Sequence, residues 1–371
     1  MRRSILMGAL VMLVALVAVA CGGGGESAGG GGGGDRPFEG HTLRVAAWSG
    51  PYARSIREYF VPPFEEATGA TVEVVDEWTE QVDKILAAPA DQPPFDLSIG
   101  EGYLMCYGLQ NDVWLQIDYS KVPRAGELYP WYREADEIDC EDDAYGVPFG
   151  YGYEVLGFRE SDLGFRPTSW ADLWRPEAQG KIALDQSFFN YGLAPAAFIQ
   201  GIDPAALEAG PDMDAVMAKT AELDVALWYT AEAQVVNAFQ TGDVAIAQMY
   251  IEGAQRLAEE DPSFDFIIPE EGSMGWIDYY MIVRGTKEVD LAHAFINQLL
   301  DPELQSRFAE DHLYWMANRN AAIPERRSEL FPKDNAELAE RAHLFDYDVW
   351  IPHYFDETGV YTQFSSEVLG A

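Results

Sequence analysis

From Thr42 onward, short apolar runs alternate with amphipathic stretches at a spacing that suits strands of a mostly parallel sheet covered by helices. "TLRVAAW" reads as a strand, and "ARSIREYFVPPFEEATG" as a helix ending at Gly69, with Ile56, Phe60 and Phe64 on one face. Pro62 and Pro63 predict a kink or break inside it. "ATVEVVDE" is then a strand, "TEQVDKILAA" a helix, and "FDLSIGEG" a strand leading into a helix around "LMCYGLQN".

The middle of the chain repeats this grammar. "AYGVPFGYGYEVLGFR" is strand-like, "SWADLWRPEAQ" a short helix capped at Thr168 or Ser169, and "KIALDQ" a strand. "AEAQVVNAFQTGDVAIAQMY" predicts a helix closed by Gly242 and followed at once by a strand. "FDFIIPEEGSMGWIDYYMIV" gives two strands around a turn, and "LAHAFINQLLDPELQSRFAED" one long helix or two broken near Pro302. A body of this length suits two α/β domains.

The N-terminus carries an address rather than a fold. Arg2 and Arg3 precede the apolar run "ILMGALVMLVALVAVA", the pattern of a signal peptide over residues 1–20. "VAVAC" resembles a bacterial lipobox and makes Cys21 the lipidated residue, although Ala18 stands where Leu is preferred. "GGGGESAGGGGGGD" can bury nothing, so residues 21–36 form a tether spanning about 20 Å root-mean-square. No later stretch is apolar enough to span a membrane.

A formal charge of −38 disfavours nucleic acid and favours cations. Five histidines without an HExxH array offer no metal site, and GxSxG, P-loop and GxGxxG motifs are missing. No cofactor is expected. Cys106 and Cys140 remain as an even pair in an oxidising compartment, open to a disulfide or to two free thiols. Asp278 is the odd member of "GWIDYYMIV": a carboxylate in an aromatic strand costs several kcal/mol unless a structural donor or a bound cation meets it.

Taken in order, "WSGPY" (Trp48 to Tyr52), "FDLSIGEGY", "YGVPFGYGY", "PTSWADLW" with "GKIAL", "AFQTGDVAIAQMY", "GWIDYYMIV" and "AFINQLLDPELQSRFAE" resemble the extracellular solute-binding proteins of ABC importers, nearest to the spermidine/putrescine branch. The likeness runs from about Leu43 to the C-terminus. It implies a two-lobed, type II periplasmic-binding-protein-like α/β fold, with lobes of residues 37–148 with 275–312 and 149–274 with 313–371, joined by crossing hinge strands near "GVPFGYGY" and "EGSMGWID". It also implies a cleft in which Trp48, Tyr52, Tyr103, Tyr250, Trp276, Asp278 and Tyr314 box an ammonium group. Ser49 and Glu101 fall beside matched positions, and Tyr151 and Tyr153 lie on the first crossing strand. Where the resemblance calls for further carboxylates, this chain has Ser187 and Asn190, with only Asp185 charged nearby, which puts a long diamine in doubt. Glu252 reads as a solvated helix start. The resemblance also places Cys106 near Cys140 and so implies their disulfide.

These features together predict a monomeric, non-enzymatic, lipid-anchored binding protein at the outer face of the cytoplasmic membrane. It would present a small cationic solute to permease subunits. The alternatives are another amine-bearing solute (an amino-acid derivative, an opine or thiamine), a surface hydrolase, or an adhesion protein.

Overall fold

Eleven strands form the frame, set out in a computed structural model that describes residues 36–134 and 143–370. The signal peptide, Cys21 and nearly all of the tether lie outside the described residues, as does Cys140; Cys106 is buried and disulfide-bonded. In chain order the strands are β1 (Thr42–Trp48), β2 (Thr71–Glu77), β3 (Leu97–Gly100), β4 (Trp114–Leu115), β5 (Val147–Arg159) and β6 (Ile182–Asp185). They continue as β7 (Val225–Tyr229), β8 (Ile246–Tyr250), β9 (Phe264–Ile267), β10 (Gly275–Val283) and β11 (Trp315–Met316).

The path across the sheet is β2-β1-β3-β10-β5-β8-β6-β7. Strands at either end run parallel, β1 with β2 and β3, and β6 with β7 and β8. The two parallel halves are sewn together by antiparallel pairing of β10 with β3 and β5, and of β5 with β8. β5 serves both halves. Its first part, to Tyr153, pairs with β10 and β11, and from Glu154 onward it pairs with β8 and β9. Residues in β5 and β10 are buried on both faces, as strands in the middle of a covered sheet must be.

Local chemistry sets the element ends. The helix Val61–Thr68 stops at Gly69 and the helix Glu232–Thr241 at Gly242, both glycines in the left-handed region that closes a helix. Pro62 and Pro63 do not bend an α-helix. A π-helical turn over Ile56–Phe60 absorbs the lost amide bonds, and the prolines open a fresh α segment behind it. "SWADLW" forms a 3-10 turn, with Ser169 and Asp172 as a capping box. The long C-terminal pattern breaks at Pro302 into helices Val289–Leu299 and Pro302–His312, the second capped by Asp301. Among the described residues no helix is long and apolar enough to cross a membrane.

Candidate functional site

The carboxyl ends of the parallel strands converge where open α/β sheets place ligands. Trp48 ends β1, Tyr250 ends β8, Glu101 follows β3, and Asp185 ends β6. Between them lies a cavity of about 110 Å³ whose wall is mostly aromatic. Trp276 of β10 lines it, edge-on to Tyr250 at 5.3 Å and to Tyr314 at 6.2 Å. Trp48 faces Trp78 at 5.6 Å, and Trp78 is 44% exposed at the rim.

Trp276 can lie there because the opposing residue on β5 is Gly152. A Cβ at that position would sit 2.4 Å from the Trp276 ring and 2.8 Å from that of Tyr314. The β5–β10 register also slips between Asp278 and Tyr279, so Phe149 is left over opposite them. A bulge of this kind re-aims neighbouring side chains, and the proline before it, Pro148, is tolerated for the same reason.

Asp278 is wholly buried, yet among the described residues no lysine or arginine is paired with it. Trp48 Nε1 donates to Oδ1 at 2.9 Å, while Oδ2 has no hydrogen-bond partner. The hydroxyl of Tyr52 lies close enough to counter the rise in the Asp278 carboxyl without forming a well-aligned hydrogen bond. Burial pushes the Asp278 carboxyl up to about 8, the Trp48 bond opposing and the charge of Glu101 adding. Asp278 therefore stands just behind the wall formed by Trp48 and Tyr52, rather than on the cavity surface.

Three other carboxyls face the cavity directly: Glu101, Glu232 and Glu252. Burial raises Glu101 to about 7, against a 3.4 Å bond from Tyr347 Oη. Burial raises Glu252 to about 8, with the charge of Glu232 adding to it and Tyr314 opposing. Glu232 is raised by burial too, and Arg256 Nη2, 3.5 Å away, counters this. Behind Tyr250, the fully buried Asp185 accepts from Ser187 N at 2.7 Å, Ser187 Oγ at 2.6 Å and Tyr250 Oη at 2.7 Å. His312, also on the wall, is held by burial at about 3, so it is neutral.

The structure thus brings Trp48, Ser49, Tyr52, Glu101, Tyr250, Trp276 and Tyr314 to one cavity. Several expected positions stand elsewhere. Tyr151 stacks on Trp315 at 4.9 Å and its hydroxyl donates to the His343 carbonyl, while Tyr153 bonds the Leu313 carbonyl; both brace the sheet. Tyr103 packs against Tyr107 and Tyr354, Ser187 serves Asp185, and Asn190 accepts from the Tyr354 hydroxyl. Glu252 begins a helix as read, but it is not solvated: it is half-buried against Tyr314 because its helix starts directly beneath the cavity.

The sequence reading did not find Glu232, Tyr191, Phe188, Trp78 or His312. Glu232 is an acidic residue in the first turn of a helix, which is ordinary on a surface; nothing local marks it as a wall residue.

Residues 60–338 match a family model described as bacterial extracellular solute-binding protein. The chain is 24% identical over 320 residues to spermidine/putrescine-binding periplasmic protein 1 of Haemophilus influenzae, covering 83% of this chain and 84% of that protein. It is also 24% identical over 324 residues to a gamma-aminobutyric acid-binding protein of Pseudomonas aeruginosa, covering 85% and 88%. The crystal structure of the spermidine/putrescine ABC transporter substrate-binding protein PotD from Streptococcus pneumoniae superposes with a TM-score of 0.70 at 21% identity, over 87% of this chain and 99% of that one. The architecture is therefore the two-lobed type II fold, with crossing strands between the lobes.

Proposed function

The chain belongs to the bacterial extracellular solute-binding protein family, and from that premise we propose that it captures a small cationic amine between its lobes and delivers it to an ABC permease. One observation carries the amine: the cavity is walled by aromatic rings and faced by Glu101, Glu232 and Glu252, with no lysine or arginine among the described residues that line it. An alkylammonium there gains up to about 2 kcal/mol per well-placed, desolvated ring. Charge-assisted hydrogen bonds to carboxylates add to that.

An amino acid such as that named for the Pseudomonas relative fits less well, because its acid end needs a cation and the described lining residues supply none. Asp278, bonded by Trp48 from behind the wall, is neutral at about pH 7 and adds its charge once a bound cation favours ionisation. We assign residues 37–148 with 275–312 to one lobe and 149–274 with 313–371 to the other. Cys21 is proposed as the lipid attachment and residues 21–36 as the tether, holding a monomeric body at the outer face of the cytoplasmic membrane. The protein has no catalytic step in this reading.

The test is a thermal-shift screen of the body from Asp35 onward against alkylamines, diamines, amino acids and sugars. A ligand at a hundred times its Kd stabilises by about 2.7 kcal/mol, so amines should raise the melting temperature clearly. Stabilisation by amino acids or sugars with none by amines would overturn the assignment. For the anchor, labelling with a fatty-acid analogue should mark the wild type and be lost in Cys21→Ala.

A further inference from the structure

Behind the cavity wall, the helix Tyr347–Tyr354 joins the two proposed lobes. Asp346 caps it, accepting from Asp348 N at 3.0 Å and Val349 N at 3.4 Å. One side is fixed to the lobe of residues 149–274 with 313–371. Trp350 Nε1 donates to the carbonyls of Pro204 at 3.2 Å and Ala205 at 3.0 Å, and its ring meets Phe189 edge-on at 5.7 Å. The Tyr354 hydroxyl donates to Asn190 Oδ1, and its ring lies 6.1 Å from Phe188 of the cavity wall.

The other side meets the helix Gly102–Gln110 of the first proposed lobe, which starts directly after Glu101. Tyr347 Oη donates to Glu101 Oε2 at 3.4 Å, Tyr354 packs edge-on to Tyr103 at 5.4 Å, and Phe355 leans on Tyr107 at 5.7 Å. Tyr103 and Tyr107, one helical turn apart, stack with ring centroids 6.2 Å apart. Tyr347 and Tyr354 are two turns apart, so each helix presents one stripe to the other. Phe355 is 50% exposed at the outer end of this contact and Glu101 is buried at the inner end, so it runs from solvent to the cavity.

We propose that this helix is a latch between the lobes and that Tyr347 is a positioning residue for Glu101. The inference rests on the lobe assignment and the amine reading above. A contact between lobes exists only while they are joined, so it favours the joined state that a ligand held between them also requires. Tyr347 ties that state to the site, because its hydroxyl holds one Glu101 oxygen while the residue faces the cavity. Asp185, Asp278 and the phenols of Tyr103, Tyr191 and Tyr354 also lie within electrostatic reach of Glu101. Burial pushes its carboxyl up to about 7 with Asp185 adding, and the Tyr347 hydroxyl opposes the rise.

Hydrogen exchange of the ligand-free body tests the latch. Phe355→Ala should speed exchange of the Gly102–Gln110 amides about two- to tenfold, the range for losing one aromatic pair, and leave the parallel strands unchanged. Tyr361→Ala is the control: that ring is 40% exposed and packs at 5.5 Å on Phe189 within its own lobe, so exchange at Gly102–Gln110 should not change. Unchanged exchange in Phe355→Ala, or the same rise in the control, would overturn the latch. Calorimetric titration with 1,4-diaminobutane tests the positioning. Tyr347→Phe removes only the hydroxyl and should weaken binding about two- to tenfold at about pH 7, with a smaller loss at about pH 8.5, where Glu101 ionises without its help. In a Glu101→Gln background the same change should cost nothing further. A loss equal at both pH values, or equal in both backgrounds, would make Tyr347 a structural residue and end the positioning role. A wild type that does not bind the probe would remove the amine reading and leave the exchange result to decide the latch.

Discussion

Asp278 has one oxygen bonded by Trp48 and one left without a partner, and among the described residues no arginine or lysine is paired to it. Holding its charge in that setting is costly in the ligand-free protein, which is why burial raises its carboxyl to about 8. Asp278→Asn keeps the acceptor for Trp48 and removes the charge. The apo melting temperature at pH 8 should therefore hold steady or rise. Affinity for a confirmed cationic ligand should fall by about 2–5 kcal/mol, the usual cost of deleting one member of a buried charge pair. Calorimetric titration beside apo melting curves separates the outcomes: a lower apo melting temperature with unchanged affinity would make Asp278 a purely structural residue.

At the scale of elements, the crossing strands β5 and β10 build the site by what they leave out. Gly152 clears the space for Trp276 and Tyr314, so Gly152→Ala drives a methyl group into two rigid rings. Overpacking of this kind costs about 1–3 kcal/mol. Trp276 should move toward the cavity, weakening ligand and lowering the melting temperature together. Gly126→Ala, where nothing lies within 4 Å of the added atom, is the matched control and should stay within about 0.5 kcal/mol of wild type. Near-UV circular dichroism of the tryptophans, with melting curves, reads the difference; an unperturbed spectrum and melt for Gly152→Ala would mean that the strand pair yields without moving Trp276.

Over the whole molecule the buried carboxyls act together on stability. Asp278 and Glu252 at about 8 and Glu101 at about 7 all titrate far above the values they take in an unfolded chain. Between roughly pH 6.5 and 8 the native state therefore holds more protons than the unfolded state, and stability falls as pH rises. Below about 6.5 the neutral His312, held at about 3, begins to oppose this, because the unfolded histidine takes a proton that the folded one refuses. Ligand-free protein should thus melt higher at pH 6.5 than at pH 8. A cationic amine should bind more tightly at pH 8, releasing protons as it displaces them. Melting curves across that window, and titrations in buffers of different ionisation heat, check both signs; a melting temperature that rises with pH would place the carboxyls in ionised, partnered states instead.

Much of this was readable along the chain, because it depends on neighbours in sequence. Gly69 and Gly242 close helices, Pro302 splits one, and the order of strands and helices follows from periodicities that each segment carries alone. The incongruity of Asp278 inside "GWIDYYMIV" was visible in the same way. Only the tertiary structure decided which aromatic rings meet the cavity. In strands buried on both faces, alternation gives no inside and outside, so nothing local kept Tyr151 and Tyr153 from joining the wall, and the partners they bond come from residues 313 and 343, far along the chain. Glu232 and Glu252 carry the same lesson for charge: each begins a helix as a surface acid would, and only the convergence of β5, β8 and β10 turns their carboxyls inward beside one another.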